Sequence, residues 1–363
     1  MIQLTSQQME AKAKILAWLN LKADKKAKFF LITGEAGTGK TTLISDLLKT
    51  TGLRCIVATY TGKAASVLRD KGVKADTIHS TIYTPVYTKG KMTFKKKSSR
   101  AAKETADLII IDEISMVGKD IFKDLQSLKL PILAFGDFRQ LPPVSADSQA
   151  MKADDANFRL TEVHRQALNS NILRYARSLI DRTKYEPNPD SHDLSFIGYD
   201  SVTRDLVLSH DIVICGMNAT REHYNREIRK ILGYTGVLQP GEKVIITRNI
   251  RDIPLYNGEI FTVNKVLKTK KEGYIKFSLV EEDVELTVPI HMFTGEPCPP
   301  ELKDKQINHQ ATYGYCITCH KAQGSTFHKV LVLDEADVFR NMSINWIYTA
   351  VTRAATKLTI VME

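Results

Sequence analysis

Short continuous apolar runs, each followed by a helical stretch, dominate the first third of the chain. Phe29-Phe30-Leu31-Ile32-Thr33 is the first, closed by Gly34, with a helical pattern from Lys40. Cys55-Ile56-Val57-Ala58, Leu108-Ile109-Ile110-Ile111 and Ile132-Leu133-Ala134-Phe135 repeat it. Runs of this kind, rich in β-branched residues and apolar at every position, predict parallel strands buried on both faces. Asp211-Ile212-Val213-Ile214-Cys215 and Val330-Leu331-Val332-Leu333 carry the same signal much later, so a second α/β unit is expected. The fold class predicted is α/β, with two parallel-sheet domains.

Three segments break the pattern. Tyr83 to Phe94 alternates β-formers around Lys89-Gly90 and then runs into Lys95-Lys96-Lys97, predicting a β-hairpin with a basic arm. Lys184 to Asp193, with Pro187 and Pro189, predicts a surface loop. From Gly241 to Pro289 short strand-like runs such as Glu259-Ile260-Phe261-Thr262-Val263 alternate with turn residues, predicting a small all-β insert. Trp18, spaced helically with Ile15 and Leu19, reads as core, and Trp346 is left open between core and stacking surface.

Composition narrows the class. The chain has 363 residues with 25% charged and 43% hydrophobic positions, ordinary for a folded enzyme. Its net charge of +10 favours a polyanionic partner. No apolar stretch of about 18 residues exists, so no membrane span is expected. Five cysteines and an N-terminus without a secretory pattern predict a cytoplasmic protein.

Gly34-Glu35-Ala36-Gly37-Thr38-Gly39-Lys40-Thr41 satisfies G-x-x-x-x-G-K-[ST] between a predicted strand and a predicted helix. Its glycines let successive N–H groups face a polyphosphate at a helix N-terminus. ATP is the expected ligand, with Lys40 on the β- and γ-phosphates and Thr41 on Mg²⁺. Asp112-Glu113 closes a strand 72 residues beyond Lys40, where an acid lands in the ligand crevice. Asp112 is expected to hold Mg²⁺ and Glu113 to activate the attacking water. Asp334-Glu335-Ala336-Asp337 also follows an apolar strand, but one phosphate site needs one acid pair, so it reads as a polar strand-to-helix turn. Gln140, after Gly136-Asp137, puts an amide beside the same crevice, while Arg165 and Arg353 offer charge for the transferring phosphoryl. Cys316-x-x-Cys319 lacks the second ligand pair of a structural zinc site, so no zinc is expected.

These motifs stand in the order of the superfamily 1 helicases. With Leu160-Thr161 to Gln166, His320-Lys321-Ala322-Gln323-Gly324 and Val351-Thr352-Arg353, the chain resembles the RecD-type branch of that family. The resemblance implies two RecA-like P-loop domains: 1A at residues 1–154 with a hairpin or pin insertion 1B at about 81–104, and 2A at 155–240 and 310–363. It implies a small β-barrel, 2B, at 241–309. Leu4-Thr5-x-x-Gln8 looks like the family's adenine-reading glutamine, and Thr42 completes the phosphate loop.

Thr59, Thr61, Lys63, Thr77, His79 and Ser80 look like its strand-contacting residues, joined by His320 and Lys321. Tyr87 or Phe94 would tip the pin. The implied activity is ATP-dependent 5′-to-3′ translocation on single-stranded DNA and opening of forked DNA by a monomer, with replication or recombination proteins as possible partners. Two alternatives stay open: a motor subunit of a nuclease or recombination complex, and an ATP-gated strand-binding protein. Two departures stand out. Tyr60 replaces the family's usual proline, and the β insert has room for a barrel but not for an added tower, which implies a less braced pin.

Overall fold

Successive residues of the same strands feed two different cores, which is why the early apolar runs have no polar alternation. The structure is a computed structural model. It describes residues 4–21, 29–88, 91–142, 150–162, 169–250, 255–303 and 309–363, without the side chains at 85, 87, 88, 91–93, 301 and 303. The chain forms two units, Met1–Asp190 and Ser191–Glu363.

The first unit carries β1 (Phe29–Gly34), β2 (Cys55–Thr59), β3 (Ala75–Thr77), β4 (Tyr83–Thr88), β5 (Lys91–Lys96), β6 (Leu108–Asp112), β7 (Ile132–Gly136) and β8 (Phe158–Leu160). Six of them make one sheet in the order β3-β2-β6-β7-β1-β8, parallel throughout. Phe30, Ile32, Ile110, Leu133 and Phe135 pack on one face with Leu43, Leu47 and Trp18. Leu31, Ile109, Ile111, Ile132 and Ala134 pack on the other with Leu125 and Ile82. Both faces are therefore dry, as a parallel sheet requires. Trp18 is 5% exposed and its ring meets Phe30 at 5.3 Å, a core position as expected.

β4 and β5 pair antiparallel, Thr88 opposite Lys91, in a separate two-stranded sheet. The turn residues Lys89 and Gly90 lie outside the described residues.

The second unit holds β9 (Leu194–Gly198), β10 (Ile212–Cys215), β11 (Lys243–Ile246), β12 (Ile260–Leu267), β13 (Tyr274–Leu279), β14 (Glu285–Pro289), β15 (Ala311–Tyr313), β16 (Cys316–Thr318), β17 (Phe327–Leu333) and β18 (Ala354–Met362). A parallel sheet runs β16-β10-β17-β18-β9, and an antiparallel one runs β14-β13-β12-β11-β15. One core serves both: Val213, Leu331 and Val361 pack with Val244, Phe261, Phe277 and Val288.

Two expected boundaries move. Residues 155–190 belong to the first unit, because β8 hydrogen-bonds to β1 and extends that sheet. β15 falls beyond the expected end of the small insert at 309, yet it pairs with β11 and so completes the antiparallel sheet. Among the described residues, no helix is long and apolar enough to cross a membrane.

Candidate nucleotide and strand sites

In the sheet order, β6, β7 and β1 are neighbours, so their carboxyl ends bring Asp112, Gly136 and Gly34 to one edge. From Gly34 the chain curls through Gly37 and Gly39, at φ of 81° and 75°, and enters the 11-residue helix Lys40–Thr50. Left-handed φ at both positions suits glycine alone and turns the loop around its own N–H groups. Thr38, 1% exposed, fastens the curl by donating its hydroxyl to the Glu35 carbonyl at 2.9 Å. Lys40 Nζ donates to the carbonyls of Gly34 and Glu35 at 2.6 and 3.1 Å, so the ammonium lies over the loop. Thr41 and Thr42 occupy the first helical turn beside it. Ala36 lies within the curl. The Glu35 carboxyl is raised by burial, then by Asp137 and Asp181, with Arg139 and Arg177 opposing.

Gln8 is fully buried and acts as a brace. Its Oε1 accepts from the Thr5 N–H at 2.9 Å, and its Nε2 donates to the carbonyls of Thr38 and Gly39 at 3.0 and 3.3 Å. This capping box ties the helix Ser6–Leu19 to the phosphate loop. Gln7, unmarked in the sequence reading, performs a matching task at β8: its Oε1 accepts from the N–H groups of Thr161 and Glu162, both at 2.7 Å.

Asp112 is 8% exposed at the end of β6. Burial raises its carboxyl, while the Lys40 charge and the Glu113 N–H, donated to Oδ1 at 3.0 Å, pull it back toward the ionised form. Glu113 adopts φ 58° and ψ 43°, left-handed for a residue with a Cβ, at a cost on the order of 1–2 kcal/mol. The turn is pressed against the end of β7: a Cβ on Gly136 would stand 2.8 Å from Ile114 Cγ2 and 3.3 Å from the Ser115 nitrogen. Only glycine admits that approach, and Asp137 and Gln140 follow it on the loop that leaves β7. Gln140 is 5% exposed and donates Nε2 to Asp137 Oδ2 at 3.4 Å. Arg165 lies outside the described residues.

The loops after β2 and β3 leave the same edge of the sheet, since all its strands are parallel. Here the structure corrects two expectations. Thr59 and Thr77, 0% and 5% exposed, shape the loops rather than present a surface: Thr59 donates to the Thr61 carbonyl at 2.7 Å, and Thr77 caps the helix Ile78–Ile82 by accepting from the Ser80 N–H. Thr61 caps the helix Gly62–Asp70 through the Ala64 N–H, which leaves Lys63 in its first turn. His79 and Ser80 are exposed. Rings of Tyr60, His79, Tyr83 and Phe94 follow one another at 6.5, 6.1 and 6.4 Å, edge-on in the first and last contacts and tilted in the second. Neither Tyr60 nor Tyr83 was among the expected site residues: Tyr60 stood out only as a departure from the family's proline, and Tyr83 only as the start of the hairpin. The side chain of Tyr87 lies outside the described residues.

In the second unit Lys321 is half-buried, donating to Asn257 Oδ1 at 2.9 Å and to the Thr247 carbonyl at 3.4 Å; burial lowers its ammonium. His320 meets the Phe339 ring at 5.9 Å, and Phe339 stacks on the fully buried Trp346. Arg353, 6% exposed, donates to the carbonyls of Thr349 and Ser325, both at 3.0 Å, and to the Thr352 hydroxyl. Asp334-Glu335 is indeed a turn after β17, and Glu335 has a definite task there: its carboxylate accepts the N–H groups of Gly216 and Met217, at 2.6 and 3.0 Å, and the Thr220 hydroxyl. Cys316 and Cys319 are both buried, with Cys316 Sγ 3.6 Å from Cys215 Sγ.

Known proteins share this arrangement. Residues 3–186 match the family described as AAA domain, and residues 313–361 match the UvrD-like helicase C-terminal domain. The chain is 30% identical over 358 residues to an ATP-dependent RecD2 DNA helicase of Deinococcus radiodurans, covering 90% of this chain and 46% of that one. It is 29% identical over 277 residues to the ATP-dependent DNA helicase dda of Enterobacteria phage T4, covering 69% and 60%. The chain thus spans about half the length of the first relative and three-fifths of the second. A crystal structure of Bacteroides Pif1 bound to ssDNA shares the fold, with a TM-score of 0.59 at 20% identity over 100% of this chain and 93% of that one. Because the first match runs from the helix that carries Gln8 to the segment beyond β8, it takes in the whole of the phosphate loop and acid turn, and on that ground the chain belongs to the AAA-domain family.

Proposed function

We propose that this chain is an ATP-driven motor that moves 5′ to 3′ along single-stranded DNA and opens forked duplexes, acting as a monomer. One observation carries the reading. The phosphate loop, the acid turn and the strand-contacting loops after β2 and β3 all leave the carboxyl edge of one parallel sheet. A change in the nucleotide is thereby set beside groups suited to hold a strand, which is what coupling between two ligands requires.

In this reading Lys40 holds the β- and γ-phosphates, and the N–H groups from Gly34 to Thr42 cradle the chain of phosphates. Mg²⁺, when bound, would be held by the Thr41 hydroxyl and the Asp112 carboxylate and would neutralise charge on the phosphates. Glu113 orients the attacking water and accepts its proton, and Gln140 aligns that water. Arg165 and Arg353 supply positive charge to the transition state, a role carried over from the family resemblance. Gln8 braces the loop through Thr5, Thr38 and Gly39, and its adenine-reading role is carried over from the family resemblance. His79, Ser80, Lys63, His320 and Lys321 meet the strand. Replication or recombination proteins would be its working partners.

The finer architecture belongs to the same reading. β4–β5 is the strand-separating pin, with Phe94 at 58% exposure as its stacking face. The antiparallel sheet of the second unit is the small barrel. Support comes from its two edge strands, which approach where the Thr287 N–H on β14 donates at 2.9 Å to His309 Nδ1, two residues before β15.

The test uses two matched duplexes, one with a 5′ tail and one with a 3′ tail, with ATP and with Lys40→Ala as control. Opening of the 5′-tailed substrate alone is expected. Opening of the 3′-tailed one would overturn the polarity, and strand-stimulated hydrolysis without opening would overturn duplex separation.

A further inference from the structure

β4 and β5 form a sheet of two strands only, and a lone two-stranded ribbon is marginally stable in water. A ribbon that must push against a duplex needs a fixed root. Tyr83 and Lys96 are direct partners across it, and both reach one carboxylate. The Tyr83 hydroxyl donates to Asp124 Oδ2 at 2.5 Å, and Lys96 Nζ donates to Oδ1 at 2.8 Å. Lys97 adds two more ties, its N–H to the Ile82 carbonyl and its Nζ to the Ser80 carbonyl, at 2.8 and 2.7 Å.

Asp124 stands on the helix Lys119–Gln126, which begins six residues after Glu113. That helix is fixed to the main sheet. Leu125 is fully buried under it, and the Phe122 ring meets Phe29 of β1 edge-on at 5.4 Å. On the ribbon, the Tyr83 ring meets Phe94 at 6.4 Å, so its hold passes outward to the exposed ring. The two partners are in the right protonation states. Lys96 and then Tyr83 hold the Asp124 carboxyl below the usual range, while burial, and after it Asp124, pushes the Tyr83 phenol up to about 12.

We infer that Asp124 is a positioning residue for strand separation: it clamps both strands of the β4–β5 ribbon at the root and, through the Tyr83 ring, sets the direction of Phe94. The inference rests on the reading of this ribbon as the pin. It places the bracing on the ribbon's own unit, where the sequence implied a pin without a tower to lean on.

Two measurements test it on the full chain: hydrogen exchange of the amides in residues 83–96, and opening of a forked duplex beside strand-stimulated ATP hydrolysis. Asp124→Ala removes two charge-assisted bonds at once, so exchange is expected to quicken about tenfold or more and opening to slow about fivefold or more, with hydrolysis within about twofold of the parent. Asp124→Asn keeps an acceptor for Tyr83 and should fall between. Tyr83→Phe, which deletes one hydroxyl and leaves the ring, should reproduce part of the loss and add nothing on top of Asp124→Ala. It also keeps the test alive if Asp124→Ala folds poorly.

Unchanged exchange in Asp124→Ala overturns the clamp. Faster exchange with normal opening overturns its role in separation, and Phe94→Ala then tells where the fault lies. If Phe94→Ala fails to open the fork, the pin reading stands and only the clamp's role in separation is wrong. If it opens the fork normally, the pin reading itself has failed.

Discussion

Glu335 invites a direct test, because two chemistries have been set against each other at one residue. The helix Asn218–Ile231 has no side-chain cap of its own, Met217 standing at its N-cap. Glu335, 118 residues further along the chain, supplies one by accepting from two backbone N–H groups and the Thr220 hydroxyl. Loss of a capping acceptor costs about 0.5–2 kcal/mol, and loss of a negative charge at a helix N-terminus about 0.3–1 kcal/mol. An orphaned, partly buried hydroxyl adds about 1 kcal/mol. Glu335→Ala should therefore destabilise the second unit by about 2–4 kcal/mol, and Glu335→Gln, which keeps an acceptor oxygen but not the charge, by about half as much. Urea unfolding, read by exchange at the amides of residues 218–231, measures the loss, and ATP turnover is measured below the transition. Turnover per folded molecule should hold within about twofold. If Glu335→Gln abolishes turnover while stability is unchanged, then Asp334 to Asp337 is the acid box after all and the assignment of Asp112-Glu113 falls.

Three further outcomes are expected. Lys40→Ala and Glu113→Gln should each lower ATP hydrolysis by a factor of about 10² or more and leave binding of a fluorescent single strand within a few-fold, measured by anisotropy. Gly136→Ala drives a methyl to within 2.8 Å of Ile114 and 3.3 Å of a backbone nitrogen. It should cost about 1–3 kcal/mol in thermal stability and lower turnover by displacing the acid turn, and normal turnover in a stable variant would remove Gly136 from the site. His210, 7% exposed, donates Nδ1–H to the Leu206 carbonyl at 2.7 Å and meets the Thr359 hydroxyl through Nε2 at 3.0 Å. Burial lowers its pKa, so the unfolded chain binds the proton first. The stability this contributes is present above about pH 6.5 and is lost as pH falls through the depressed value. His210→Asn should flatten that acid limb of the unfolding profile.

What could be read in the sequence, and what could not, divides along a physical line. β1, β2, β6, β7, β10 and β17 were legible because a strand buried on both faces must be apolar at every position, and the phosphate loop because its glycines are dictated by backbone sterics. The ends of the domains were not legible. β8 and β15 are three residues each, too short for a pattern, and only their pairing with β1 and β11 assigns them to a sheet. The hydroxyl ligands were also misjudged. Thr59 and Thr77 look like surface groups in a polar loop, yet a threonine at a strand end serves equally well to close the turn it begins.

The larger gap concerns residues whose task lies far away in sequence. Gln7 works on β8, more than 150 residues off, and Glu335 caps a helix that precedes it by over 100. Asp124 sits on the polar face of an amphipathic helix, where a carboxylate is unremarkable until Tyr83 and Lys96 are seen to converge on it. None of these has a local signature, because each satisfies donors that another element leaves open. The chemistry-bearing residues of this fold are announced by local constraint, glycines above all. The residues that aim them are found only where the chain meets itself, and the experiment on Asp124 asks whether such an aiming residue governs one step, strand opening, while leaving hydrolysis alone.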